Sequence, residues 1–233
     1  MRAKLYLEVG SVEHEGGSCL AWVLDLPGCV AYAASPEEAI AYAPEVARHY
    51  LNWLSSHGES VPDIEVDPKP AEVFQVSFLG DYEISAIFGP DFGAPSDEEL
   101  QRYLRWMRHS REDLWKLIRG LSKEALDVEV RSGGPILRKV LQHVAGAEEW
   151  YISRLEIDPF QASAPGAESE DVFERLETVR AWAVERLQNL PIEQRKHITV
   201  HEGEVWTFKK VLRRFLYHEA YHRRQIAELL DSA

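Results

Sequence analysis

Near the C-terminus, Tyr217-His218-Glu219-Ala220-Tyr221-His222 places two histidines four residues apart. On a helix that spacing stacks both imidazoles on one face, one turn apart. Neutral imidazoles so placed can address a single divalent ion. Helical rows through the segment run Phe208, Val211, Phe215, His218, His222, Ile226 and Leu229, so the pair is expected on an otherwise apolar, core-facing seam. A hydrogen-bonded core histidine is the simplest account of either residue alone, and the ligand spacing of the pair puts metal binding on an equal footing. His143 shifts that balance. It lies between Val140 and Ala147 on the apolar row of an upstream helix, where an imidazole without a partner would be costly. Three nitrogens from two helices leave one position open on Zn²⁺, and more on Ni²⁺ or Fe²⁺, as a catalytic site does and a structural one does not.

Such a triad needs helices to carry it, and from Ser96 onward every long segment has helical period. Ser96-Asp97-Glu98-Glu99 is a capped start with acid in the first turn. It opens a helix with Leu100, Leu104, Met107, Leu114, Ile118 and Leu121 along one seam. Gly133-Gly134-Pro135 precedes a second helix carrying Ile136, Val140, His143, Ala147 and Tyr151, with Leu137, Leu141 and Val144 beside them, and Asp158-Pro159 closes it. After a loop over Gln161 to Gly166, a third helix follows with Val172, Leu176, Val179, Ala183, Leu187 and Leu190. Pro191 to Glu204 is a connector, and the histidine-bearing segment is the fourth helix. Four amphipathic helices with moderate connections predict a four-helix bundle over residues 93–233, whose interior is where such folds build metal sites.

The run Ile136-Leu137-Arg138-Lys139-Val140-Leu141-Gln142-His143-Val144-Ala145-Gly146-Ala147-Glu148-Glu149-Trp150-Tyr151 resembles the DinB-like (DNA-damage-inducible) family, as do Trp206-Thr207-Phe208-Lys209-Lys210-Val211-Leu212 and His218-Glu219-Ala220-Tyr221-His222-Arg223-Arg224-Gln225-Ile226. The resemblance covers about residues 96–231. It implies a divalent metal held by one histidine from the second helix and an H-x-x-x-H pair from the last, which here are His143, His218 and His222. Relatives of this kind include thiol-dependent S-transferases and isomerases, in which the metal lowers the pKa of a bound low-molecular-weight thiol or a water. The family name does not imply a DNA polymerase.

Other residues near these helices have ordinary accounts. Tyr151, Tyr217 and Tyr221 could orient a substrate, although core packing explains each. Glu148 and Glu219 are expected to face solvent or to support the ligands from behind. Arg111 and Ser110 interrupt the first helix's seam, and a surface arginine lying along the helix is favoured over an inward anion-binding one. His197 and His201 are also four apart, but Ile198 and Val200 give them a strand-like context in which their rings have no reason to converge. Arg213-Arg214 and Arg223-Arg224 are expected as exposed basic pairs.

The N-terminal part has another character. Leu5, Leu7 and Val9 alternate with Lys4, Tyr6 and Glu8, as in a half-buried strand. A Gly16-Gly17 turn leads to a strand at Cys19 to Leu26, and Asp25-Leu26-Pro27-Gly28 turns into another at Cys29 to Ala33. Ser35-Pro36-Glu37-Glu38 starts a helix through Leu54, with Pro44 predicting a kink. Pro62, Pro68 and Pro70 mark an extended passage, and Leu79-Gly80-Asp81 sits between two further strands within 72–88. Leu24-Asp25-Leu26-Pro27-Gly28-Cys29-Val30 followed by Ser35-Pro36-Glu37-Glu38-Ala39 resembles the HicB-like family over about residues 3–70. That resemblance implies a small antiparallel sheet with one helix on it. Such domains often serve as antitoxins and carry a DNA-binding module, but nothing here looks like that module, so the fold is carried over and the regulatory role, with its toxin partner, is not. The whole is then an α+β two-domain chain: a HicB-like domain over 1–92 and a DinB-like bundle over 93–233.

Composition is that of an ordinary globular protein, 45% hydrophobic and 28% charged. The net charge of −13 belongs almost wholly to residues 1–95, whose 4 Lys+Arg stand against 15 Asp+Glu. An acidic half repels phosphate backbones, which disfavours nucleic acid as a partner. No signal-like start or membrane-length apolar run is present, which makes cytoplasmic residence the default. Cys19 and Cys29 form neither a disulfide framework nor a metal-binding spacing. The sequence therefore favours a divalent-metal protein acting as a thiol transferase or related enzyme on a small molecule. The alternative is a binding or regulatory protein whose metal is structural or sensory. A homodimer is a family-level expectation only.

Overall fold

In a computed structural model, residues 2–12, 17–130, 133–156 and 163–231 are described. Gly16, Asp158-Pro159 and the first residues of the Gln161 loop lie outside them. The chain divides into two compact units, Met1–Gly93 with Ile198–Arg213, and Ala94–His197 with Arg214–Ala233.

The first unit begins with β1 (Arg2–Val9), β2 (Cys19–Val23), β3 (Val30–Ala33), α1 (Pro36–Ser56) and β4 (Glu65–Gln75). The strand order is β3-β2-β1-β4. β1–β2 and β2–β3 are antiparallel, but β4 runs parallel to β1, so the sheet is mixed and not antiparallel throughout. α1 is the crossover that parallel pairing requires. Pro68 and Pro70 lie in β4, which is an edge strand, and the register shifts on either side of Leu5, where it pairs with Pro70. Edges and irregularities are where a strand tolerates residues that cannot donate a ladder hydrogen bond.

Ser35 caps α1, its hydroxyl accepting from Glu38 N at 3.3 Å, and the helix runs unbroken through Pro44. Its buried face is Ala39, Ala43, Ala47 and Leu54, and the three alanines let it lie close to the sheet. At the β2–β3 turn, Pro27 and then Gly28 at φ +88° allow Cys29 N to reach Leu26 O at 2.8 Å. A side chain at Gly28 would be strained in that left-handed conformation.

Within the alternate row of β1, Lys4 is exposed but Tyr6 and Glu8 are buried, contrary to the half-buried reading, because that part of the sheet's second face is covered too. Tyr6 packs on Phe88 at 5.3 Å between ring centroids, and the Glu8 carboxylate accepts from Trp22 Nε1 at 2.9 Å and Ala86 N at 2.7 Å. Two hairpins complete the unit, β5 (Ser77–Leu79) with β6 (Tyr82–Ile84), and β7 (Ile198–His201) with β8 (Glu204–Thr207). The second lies in what was read as a plain connector. Its two-residue turn, Glu202-Gly203, has positive φ at both positions, which suits the twist of a tight hairpin.

The second unit contains α2 (Asp97–Ile118), a short α3 (Lys123–Leu126), α4 (Leu137–Ser153), α5 (Val172–Asn189) and most of α6 (Phe208–Asp231). Ser96 and Glu99 form a reciprocal cap at the start of α2, at 3.1 and 2.8 Å. Asp171 caps α5. The four long helices share one apolar core: Leu114 and Ile118 from α2, Leu137, Val140, Leu141 and Val144 from α4, Val172, Leu176 and Val179 from α5, and Ile226 from α6. The chain is thus an α+β protein with an N-terminal sheet and a C-terminal helical bundle. Among the described residues no helix is long and apolar enough to cross a membrane.

Candidate metal centre

Helix α6 presents His218 and His222, and α4 presents His143. The three rings come together. His218 Nε2 lies 2.9 Å from His143 Nε2 and 3.2 Å from His222 Nε2, and the candidate ligand atoms all lie within 4.8 Å of one another. An ion about 2.0–2.1 Å from each nitrogen would hold neighbouring nitrogens about 2.9 Å apart in an octahedral field and about 3.4 Å apart in a tetrahedral one. Both separations from His218 fall within that interval and no pair of the three donor atoms exceeds 4.8 Å, so the donor set can close on a small divalent cation. His197 and His201 do not join this group.

The triad is not in the bundle interior, as the apolar rows had implied. His143 is exposed, and His218 and His222 are half-buried. Their neighbours Val140 and Val144 on α4 and Phe215 and Ile226 on α6 are buried, so the histidines sit where the two seams meet solvent. Buried Tyr151 backs the site, with its ring edge-on to His218 at 6.0 Å and beside Phe215 at 5.5 Å. Tyr221 stands edge-on to His222 at 5.1 Å. Gln225, which the sequence reading had not singled out, accepts at Oε1 from His222 Nδ1 at 2.8 Å. Its place three residues after His222, on the same helical face, was the available signal.

The same four helices carry a second cluster, three of whose members were expected in other roles and whose fourth, Arg180, the sequence did not single out. Arg111 on α2, Glu148 on α4, Arg180 on α5 and Glu219 on α6 are all buried and form a neutral quartet, one charge from each long helix. Arg111 donates to Glu219 Oε1 and Glu148 Oε1, both at 2.5 Å, and to Leu176 O. Arg180 donates to both oxygens of Glu148, through Nε to Oε2 at 2.9 Å, and to Met107 O at 3.0 Å; it also pairs with Glu219 at 3.1 Å. Arg111 therefore faces inward, not along the surface, and Glu148 and Glu219 are engaged by guanidiniums instead of facing solvent or the imidazoles. Burial alone would raise the Glu219 carboxyl, but Arg111 and Arg180, with Ser110 beside them, hold it down at about 2. Burial likewise opposes the Arg180 charge, and Glu148 and Glu219 overcome it, raising that guanidinium above the usual range.

The expected basic pair at Arg213-Arg214 is also buried. In the first unit Arg213 donates to both oxygens of Asp91 at 2.9 Å and to Ala86 O at 2.7 Å, with its guanidinium 4.3 Å from the centre of the Trp22 ring. In the second, Arg214 lies over Tyr151 and Tyr217 at 6.0 and 5.7 Å. Of the other expected exposed pair, Arg224 is exposed, but Arg223 is half-buried and pairs with Asp113 at 3.3 Å.

Residues 96–233 match the DinB family. The chain belongs to that family. The three histidines, the charge quartet and the four long helices all lie within its DinB region. A similar solved structure is YfiT from Bacillus subtilis, a probable metal-dependent hydrolase with an unusual four-helix bundle topology. It aligns with 60% of this chain and 90% of its own at 20% identity and a TM-score of 0.47. No curated protein matches the chain.

Proposed function

We propose that the DinB region binds one divalent metal ion through His143, His218 and His222, and that the ion serves chemistry on a small molecule. The convergence of three imidazole Nε2 atoms from two helices carries this reading. Exposure of the triad favours a site that substrate can reach over a closed structural one. A bound divalent ion would lower the pKa of a thiol or water and so supply a nucleophile at neutral pH. The chain's own residues hold the three nitrogens, shield one side of them with Tyr151 and keep His222 oriented through Gln225. A metal-dependent thiol transferase acting with a low-molecular-weight thiol is the activity we favour, and Zn²⁺, Ni²⁺ and Fe²⁺ are the candidate ions.

One observation favours a second, non-catalytic reading. Glu148 and Glu219, the buried carboxylates nearest the ligands in sequence, are committed to Arg111 and Arg180 and are not disposed to act as a general base. On that reading the metal is structural or sensory, and the first unit, which we take as HicB-like from its Leu-Pro-Gly-Cys turn and following helix, is the interaction surface.

Metal analysis of the purified protein, titration with Zn²⁺ and Ni²⁺, and thermal-shift screening against small thiols test these readings. Binding is expected to fall at least about 100-fold in His143→Ala. Because that side chain is exposed, folding is expected to change by no more than about 0.5 kcal/mol. A wild-type protein that takes up neither ion refutes both readings. Metal uptake with strong thermal stabilisation but no thiol binding favours the second.

A further inference from the structure

We propose that Gln225 is a positioning residue for the triad, holding His222 as its Nδ1–H tautomer so that the Nε2 lone pair faces the other two imidazoles. On the metal reading given above, that lone pair is the one the ion would engage.

Both ends of the Gln225 carboxamide are occupied. Its Nε2 donates to the Tyr221 hydroxyl at 2.9 Å, and its Oε1 faces His222 Nδ1 at 2.8 Å. With the amide's donor end on the phenol, the end facing the imidazole can only accept, so the ring nitrogen opposite must carry the proton. A neutral imidazole has one N–H, and a proton at Nδ1 leaves Nε2 unprotonated, with its lone pair outward. That Nε2 is the atom 3.2 Å from His218 Nε2. Tyr221, Gln225 and His222 are all on α6, at spacings of four and three residues, so one stretch of helix sets the relay. The orienting group is also neutral. A carboxylate in its place would make the imidazole a stronger donor and blunt the Lewis acidity of a bound ion; the carboxamide aligns the ring without adding charge.

Long-range proton–nitrogen correlation spectra of the metal-free full-length protein read the tautomer directly, with no ion or activity required. Wild-type His222 is expected as Nδ1–H. In Gln225→Leu it is expected to move toward Nε2–H, and the dissociation constant for Ni²⁺ to rise about 10–100-fold. Gln225→Glu keeps the acceptor, so it is expected to keep the tautomer and bind Ni²⁺ at least as tightly as wild type. Tyr221→Phe removes the phenol that orients the amide and is expected to give a smaller loss in the same direction. A wild-type His222 in the Nε2–H form overturns the assignment, as does a folded Gln225→Leu protein with unchanged tautomer and affinity. A wild type with the Nδ1–H form that takes up neither Ni²⁺ nor Zn²⁺ upholds the role of Gln225 and refutes the metal reading alone.

Discussion

Replacing Glu148 by Leu tests the account of the buried quartet. Glu148 is 2% exposed and receives three hydrogen bonds, one from Arg111 and two from Arg180. Its removal leaves two buried guanidiniums facing the single carboxylate of Glu219. Breaking a buried pair from one side costs about 3–5 kcal/mol, because the surviving charge has lost both water and partner. For a chain of this size that corresponds to a fall in Tm of about 6–20 °C. Glu148→Leu combined with Arg180→Met restores the balance, leaving Arg111 and Glu219 paired at 2.5 Å. Replacing a buried pair with apolar side chains is often close to neutral, so the double variant is expected to be more stable than Glu148→Leu alone by about 2 kcal/mol or more. Urea denaturation followed by far-UV circular dichroism measures both, with the slope confirming that the extent of unfolding is unchanged. A Glu148→Leu cost below about 1 kcal/mol would refute the reasoning. So would a double variant whose loss equals the sum of the two single ones.

Acid should act on the same cluster. The Glu219 carboxyl is held at about 2 against an ordinary 4.5, so its contribution to stability is fully present above pH 4.5 and lost as the pH falls toward 2. A pH series of urea midpoints checks this, and Arg111→Met should flatten the decline. Burial pushes the Cys29 thiol up to about 12, so it should resist alkylation at pH 8 in the folded protein and react once urea unfolds it. Ser35→Ala removes the α1 cap and should cost about 1 kcal/mol, whereas Ser35→Asp should cost less, by the same denaturation assay. Asp91→Asn removes the charge that Arg213 grips from both oxygens inside the first unit, and should destabilise by about 3 kcal/mol or more.

The triad was legible because a four-residue spacing and a shared helical row are geometric facts of the sequence. The exposure of His143 was not. A row fixes the angle of a side chain around its own helix, but burial depends on whether a neighbouring helix reaches that level, and His143 is exposed. Arg111 showed as an interruption in a seam. Glu148 and Arg180 did not, because charged residues beside a seam usually reach solvent, and only the opposite charges on the other helices make their burial tolerable. The parallel strand β4 was concealed by Pro68 and Pro70, which argue against a strand until its edge position is known. The hairpin at 198–207 showed as alternation in Ile198 and Val200, but its turn uses Glu202 before Gly203, where Asn or Asp would have been the stronger signal.

The composition of the first unit has a consequence for how the protein is made. Its four-stranded sheet is encoded in the first third of the chain, yet Ile198–Arg213 belongs to the same unit. Until that segment leaves the ribosome, Asp91 lacks the guanidinium of Arg213, and Trp22 lacks the cation stacked on its ring. The nascent sheet must therefore wait, with one face incomplete, while the intervening helices are synthesised. Expressing residues 1–93 alone should yield a sheet prone to aggregation, and expressing 94–233 alone should leave buried Arg213 without Asp91 and buried Lys210 without the Ser85 carbonyl. The protein is best produced, and best dissected by point substitution, as a whole.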